Sequence, residues 1–428
     1  MKILIISHPP VATQNNMGKT LLSLFSEFEK EALCQLYIYP SFPNVDPLSS
    51  YYRVTDKDVL RTYFGKRKIG GEVPREVICD KQGLYENEED RSIYRNRKNK
   101  SAFRRLMRDM MWRFSPWYNK TLKEWLEREN PDCIFVAPGA AKFLYDMALR
   151  IAADRKIPIV PYICDEYYFV QQPKDCLDRL RLYLLRRKIE ALMQKSKHLV
   201  VISEELKCAY HDRFGVDTTV LMTGGNAPVQ KERETANAIR QISYFGNIRC
   251  NRFVSLKEIG EELESINREK GTDYKLKIFT AEQDRGILSQ LESIPAVELC
   301  GFVSGAAFDR AFSESELLVH AEAFDEQSMD FTRHSISTKI ADSLASGIPL
   351  LAYGPETISS MKHLIRYDCA LVATSREQLR AMLLSAFEEE HTRAAVVKRA
   401  MSVAKQCHDG KRNSESLRQI LSDVIEAR

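Results

Sequence analysis

Short apolar runs alternate with long stretches of helical spacing, and this alternation constrains the fold more than any other feature of the chain. Residues 3–7, 35–39, 133–137, 157–163, 198–202 and 218–222 are the candidate strands of the first half. A second series follows at 241–245, 275–280, 297–299, 317–320, 349–353 and 370–373. Between them, segments such as 179–195 and 376–389 carry apolar residues three and four apart, the period of one helix face. Near-continuous apolar strands are buried on both sides, which calls for a parallel sheet covered by helices. The expected class is α/β.

The two series are separated by Thr223-Gly224-Gly225-Asn226-Ala227-Pro228 and the charged run 231–235. Glycines, a proline and charges together read as a hinge. The expected division is a Rossmann-like domain at 1–225, a second at 226–410, and a final helix at 411–428 crossing back to the first. Domains of this kind bind ligands beyond the carboxyl ends of their strands, so the expected site lies in a cleft faced by both sheets.

Charge narrows the partners. Sixty-three basic residues against 59 acidic ones leave +4, too balanced for a nucleic-acid protein. No apolar stretch approaches the length of a membrane span. The N-terminal run MKILIIS is too short for a signal segment and reads as a first strand. The ten cysteines contain no CxxC pair, so reduced thiols and a cytoplasmic setting are expected, with no zinc site.

The segment most suggestive of chemistry is 335–355, SISTKIADSLASGIPLLAYGP. Ser337 or Thr338 can cap a helix, and Gly347 with Pro349 can end it before a strand. A helix start offers free N–H groups and partial positive charge to a phosphate. Lys339 adds a full charge, and Asp342, one turn on, can accept hydrogen bonds from sugar hydroxyls. The plainer reading of the same residues is an amphipathic helix with a solvated lysine and aspartate.

This stretch resembles the donor-site motif of family 4 and related GT-B glycosyltransferases: a small polar pair, Lys, an acidic residue three further on, then Gly-x-Pro before a strand. Further landmarks occur in the family's order. They are His198–Leu206, Gly224-Gly225-Asn226, Tyr244-Phe245-Gly246-Asn247, Leu299-Cys300-Gly301-Phe302-Val303, and His408-Asp409 followed by Arg412-Asn413. The likeness covers 195–428 well and 1–194 loosely. It implies a GT-B architecture and transfer of a sugar from a nucleotide sugar, bound as substrate without a separate cofactor or metal, to a saccharide or glycolipid acceptor.

Residue by residue, the resemblance implies that Asp342 holds the ribose and that Lys339 with the amides of Ser337 and Thr338 faces the diphosphate. Gly246 and Asn247 form the glycine turn of the second domain, where a residue lacking Cβ admits the phosphates. Arg249 or Arg252 would neutralise the leaving diphosphate, and Val303 lies near the base. Gly18, in Asn15-Asn16-Met17-Gly18-Lys19-Thr20, matches a glycine loop before a helix expected at 20–29.

The chain also departs from the family. Where many members carry a glutamate eight positions before the ribose-binding acid, it has His334; Glu322 is acidic but off that spacing. Glu322 could approach the donor sugar if the polar, loop-like insert 324–333 folds over the site, and the alternative for either His334 or Glu322 is a loop residue without a direct role. Where many members have a histidine before a strand-end aspartate, Cys164 precedes Asp165. Asp165 could orient or deprotonate an acceptor hydroxyl, or cap a helix.

Two rival motifs are weak. Gly18-Lys19-Thr20 ends like a P-loop, but Thr13 stands where its first glycine belongs. Asp56-Lys57-Asp58 looks like a metal-binding DxD, for which helix capping is the simpler role. Residues 91–120 interleave arginines and lysines with Phe103, Trp112, Phe114 and Trp117. This suits an anionic membrane surface on the inner face, or an ordinary helix with aromatics inward. A sugar-nucleotide epimerase of the same fold and a non-catalytic binding subunit are the alternative functions.

Overall fold

The computed structural model describes residues 1–13, 15–65, 69–78, 101–169, 173, 175–225 and 241–427. The stretch expected as a hinge lies outside the described residues from Asn226 to Thr235, as do positions 91–100 of the basic stretch. The chain divides into two compact units, Met1–Thr223 with Gly410–Arg428, and Gly224–Asp409.

The first unit is built on eight strands: β1 (Ile3–Ser7), β2 (Leu33–Tyr37), β3 (Ser50–Arg53), β4 (Gly71–Glu72), β5 (Cys133–Ala137), β6 (Ile159–Ile163), β7 (His198–Val201) and β8 (Asp217–Val220). Their order is β4-β3-β2-β1-β5-β6-β7-β8. All pairs are parallel except β3 with β4. All five residues of β1 are buried, because it lies between β2 and β5, with Ile3 opposite both Leu33 and Cys133. The chain runs outward from β1 through β2 and β3, then returns to β5 on the other side. The strand order therefore reverses between β1 and β5.

The second unit holds β9 (Gln241–Phe245), β10 (Lys275–Phe279), β11 (Val297–Leu299), β12 (Leu317–Ala321), β13 (Leu350–Tyr353) and β14 (Leu371–Ala373). All pair in parallel in the order β11-β10-β9-β12-β13-β14. Its reversal falls between β9 and β12, the place where doubly wound sheets bind ligands. Ile242, Leu256, Leu276 and Leu351, fully buried, belong to one apolar core.

The α/β class is thus met, with two largely parallel sheets. Several local expectations differ. β3 (SYYR) and β4 (two residues) have no long aliphatic run to announce them. The first helix spans Asn16–Leu24 rather than 20–29, capped by the Asn15 side chain, which accepts from Gly18 N at 2.6 Å. The insert 324–333 contains a helix, Glu326–Thr332, whose cap Asp325 accepts from Ser328 N at 3.0 Å. Asp58 closes a capping box with Thr55 at the start of helix Asp56–Thr62. The last helix, Gly410–Glu426, packs within the first unit. There Ser414 Oγ accepts from Glu27 N (3.0 Å), and Asn413 donates to Met222 O (2.7 Å).

Candidate functional site

In the second unit the loops leaving β9 and β12 meet where the strand order reverses. Gly246 follows β9 directly, with φ +135, a conformation L side chains rarely adopt. A Cβ there would stand 1.8 Å from Lys339 Nζ, so the missing side chain makes room for the lysine. Tyr244, one alternation earlier on β9, is buried and lies under the same ammonium, 5.0 Å from ring centroid to Nζ. The backbone turn is fixed by Gly246 N donating to Phe279 O (2.8 Å) and by Tyr244 OH donating to Asn247 O (2.6 Å). Asn247 Oδ1 accepts from Arg249 N at 2.7 Å.

Lys339 enters from helix Thr338–Ala345, whose N-cap residue Ser337 makes no side-chain capping bond. A lysine in the first turn stands at the positive end of the helix dipole, an arrangement that favours an anion nearby. Burial pulls its pKa down to about 8; Arg252 adds to the fall and Glu322 opposes it. Among the described residues Lys339 makes no ion pair.

Arg252 begins helix Arg252–Lys270. Its Nε and one terminal nitrogen bond the two oxygens of Glu322 at 3.0 and 3.1 Å. Glu322 follows β12 and is 3% exposed. A carboxylate so buried requires a partner and further hydrogen bonds. Burial pushes it above its ordinary value while Arg252 pulls it back, and its own carbonyl accepts from Ser255 Oγ (2.7 Å). His320 Nε2 stands 3.4 Å from Glu322 Oε1. Burial, with Arg252 and Lys339 nearby, pushes His320 down to about 3, so the contact is not ionic at neutral pH.

The two arginines considered for the diphosphate are therefore each held by a carboxylate. Arg249 bonds Glu282 at 2.8 Å, and this partner, with neighbouring backbone amides, holds Glu282 down at about 2. Glu322 faces Arg252 and does not depend on the insert to be ordered. His334 is half-buried just after helix Glu326–Thr332, beside Arg333, whose carbonyl accepts from Ser359 N (2.8 Å). Asp342, one turn after Lys339, is half-buried, as are Ser337 and Thr338. Val303 is half-buried on the loop between β11 and helix Ala306–Ser313.

The remaining candidates lie in the first unit. Gly18 sits within helix Asn16–Leu24, not in a loop before it, and a Cβ there would come within 2.4 Å of Ala12 O. Its lack of a side chain is explained by that close approach. Asp165 follows β6, half-buried, and accepts from Tyr167 OH at 3.4 Å. Its neighbour Glu166 is 3% exposed and pushed up to about 7 by burial.

The sequence reasoning missed a second arginine–carboxylate pair. Arg108 Nε bonds both oxygens of Asp56 at 3.0 Å, Trp112 Nε1 donates to Asp56 Oδ1 (2.6 Å), and another Arg108 nitrogen lies 3.4 Å from His8 Nε2. Asp56 follows β3 and His8 follows β1. The residues lie in separate segments, and only the fold of the first unit brings them together.

No protein-family model matches the sequence, and no curated protein matches it. Among solved structures, HepE of Anabaena in complex with UDP and glucose superposes with a TM-score of 0.64 at 12% identity, over 99% of this chain and 100% of that one. Sucrose-phosphate synthase from Thermosynechococcus elongatus gives 0.63 at 10% identity, covering both chains fully. A UDP-forming trehalose-phosphate synthase from Burkholderia xenovorans, in complex with glucose-6-phosphate, gives 0.60 at 12% identity over 98% and 100%. At these identities the likeness establishes the fold, which is the GT-B architecture.

Proposed function

We propose that the chain is a glycosyltransferase that takes a sugar from a nucleotide sugar and passes it to a hydroxyl of a saccharide or lipid-linked saccharide. The observation that carries this reading is the Lys339 ammonium. It lies, half-buried, beside Gly246 and Tyr244 at a helix start, with no ion-pair partner among the described residues, where the strand order reverses. Glu322 is paired with Arg252, which leaves the charge of Lys339 without a carboxylate among the described residues, so the site has room for an added negative charge.

In this reading Lys339 and the first-turn amides at Ser337 and Thr338 receive the diphosphate, and Asp342 accepts hydrogen bonds from the ribose. Arg252, oriented by Glu322, adds positive charge as the diphosphate departs and its negative charge grows. Asp165 is the candidate to orient or deprotonate the acceptor hydroxyl. The solved structures with UDP or glucose-6-phosphate make UDP-sugars and sugar phosphates the first donors and acceptors to test.

Incubation with a panel of nucleotide sugars and acceptors decides the matter. Free nucleotide appearing with a glycosylated product, or with slow hydrolysis, is the expected result. An isomerised sugar nucleotide would instead make the chain an epimerase, and binding without turnover a non-catalytic subunit. Asp342→Ala should weaken nucleotide binding by about 1–3 kcal/mol, the scale of a charged hydrogen bond. Unchanged affinity in the folded variant removes the ribose role.

A further inference from the structure

Helix Ala102–Phe114 is amphipathic in the reverse of the usual sense. Its inward side carries Arg108 and the fully buried Trp112, both bonded to Asp56. Phe103, Met107, Met110 and Phe114, spaced four, three and four residues apart, form a single stripe on the opposite side. All four are exposed, Phe114 by 67%. Trp112 also stacks on Phe143, with ring centroids 4.4 Å apart, so the helix is anchored by its inward side without the outer stripe, and exposed apolar patches of this kind mark interaction surfaces.

The two helices packed against it also expose apolar side chains. Helix Asp56–Thr62 is tied to this one by Tyr63 OH donating to Met111 O (2.9 Å), and it brings exposed Leu60 with Phe64 just beyond its end. Helix Cys176–Lys195, also packed against it, exposes Leu177, Leu180 and Tyr183. These three helices carry twelve lysines and arginines against five acidic residues, although the whole chain is only +4. Arg104 and Arg113 flank the apolar stripe and are exposed.

From this we infer that the first unit docks on an anionic lipid bilayer through the outward faces of these three helices, the apolar side chains entering the headgroup region and the arginines meeting lipid phosphates. Charge selects this occupant. A second copy would present the same excess of positive charge and be repelled. The tryptophans that make this region look membrane-facing in sequence, Trp112 and Trp117, are themselves buried. The phenylalanines and methionines form the contact.

Co-sedimentation with vesicles tests this without donor or acceptor, so its outcome is separate from that of the transferase reading. The full chain is mixed with phosphatidylcholine vesicles with and without phosphatidylglycerol, at low and high salt. Binding is expected only with phosphatidylglycerol and should weaken as salt rises. Phe103→Ser with Phe114→Ser, and Arg104→Glu with Arg113→Glu, should each lower the bound fraction roughly tenfold or more. All four residues are exposed, so circular dichroism should be unchanged. A wild-type chain that stays in the supernatant at low salt overturns the inference, as does binding that both variants retain. A lipid-free oligomer that dissociates in the phenylalanine variant also overturns it, assigning the face to a second copy.

Discussion

Each unit places an arginine against a buried carboxylate beyond its strand ends: Arg108 with Asp56 in the first, Arg252 with Glu322 in the second. The arginine side chains are 18% and 19% exposed, so the pairs are well matched. They differ in what stands beside them. Asp56 receives a second donor, Trp112, and the group is closed. Glu322 has a second cation nearby, Lys339, which contacts an aromatic face and a helix start instead of an acid. The same motif is therefore electrically complete in one unit and short of a negative charge in the other. A buried ion pair alone says little about binding; the charge it leaves uncompensated says more.

The largest expected effect would come from opening either pair. Glu322→Ala and Asp56→Ala each leave a partly buried arginine without its carboxylate, at up to about 3–5 kcal/mol, read by urea unfolding. The comparison is sharpened if nucleotide affinity changes in the Glu322 variant alone, and it breaks if Asp56→Ala weakens nucleotide binding as much. Lys339→Met should cost about 2 kcal/mol, or roughly thirtyfold, in UDP affinity by calorimetry, with little effect on stability. An unchanged dissociation constant would place the anion elsewhere. Gly246→Ala forces a side chain into a left-handed conformation and against Lys339, and should lose about 1–2 kcal/mol of affinity.

The smallest effect is the pH dependence. Lys339, with its pKa pulled down to about 8, is charged below that pH and neutral above it. UDP affinity should hold at pH 7 and fall as pH rises through about 8, and the Met variant should lack that fall. A flat wild-type profile would remove Lys339 as the diphosphate's counter-charge.

Much of the fold is legible in the sequence because buried parallel strands must be apolar throughout. The runs at β1, β5, β9 and β11 carry the same bounds in sequence and structure. β3 and β4 escape because Tyr51 and Tyr52 stand between Ser50 and Arg53, and two residues make no pattern. The start of helix Asn16–Leu24 is obscured by Gly18, which reads as a loop residue until Ala12 is seen lying against it. The chemistry is harder to read. Local spacing brings out Lys339 and Asp342 on one short helix. It cannot bring together Arg252 and Glu322, 70 positions apart, because their pairing follows from the adjacency of β9 and β12. Those two residues suggest separate roles in sequence, and the structure makes them one ion pair.

The two crossings between the units, at 223–224 and 409–410, carry a consequence for how such a protein can be altered. Gly225 N donates to His408 O at 3.2 Å, so the entry and exit of the second unit lie one hydrogen bond apart. Topologically that unit is a cassette spliced into a body whose own last helix resumes afterward. Insertions with adjoining ends are well tolerated. The second unit could therefore be exchanged for another while the first unit keeps its sheet and its final helix.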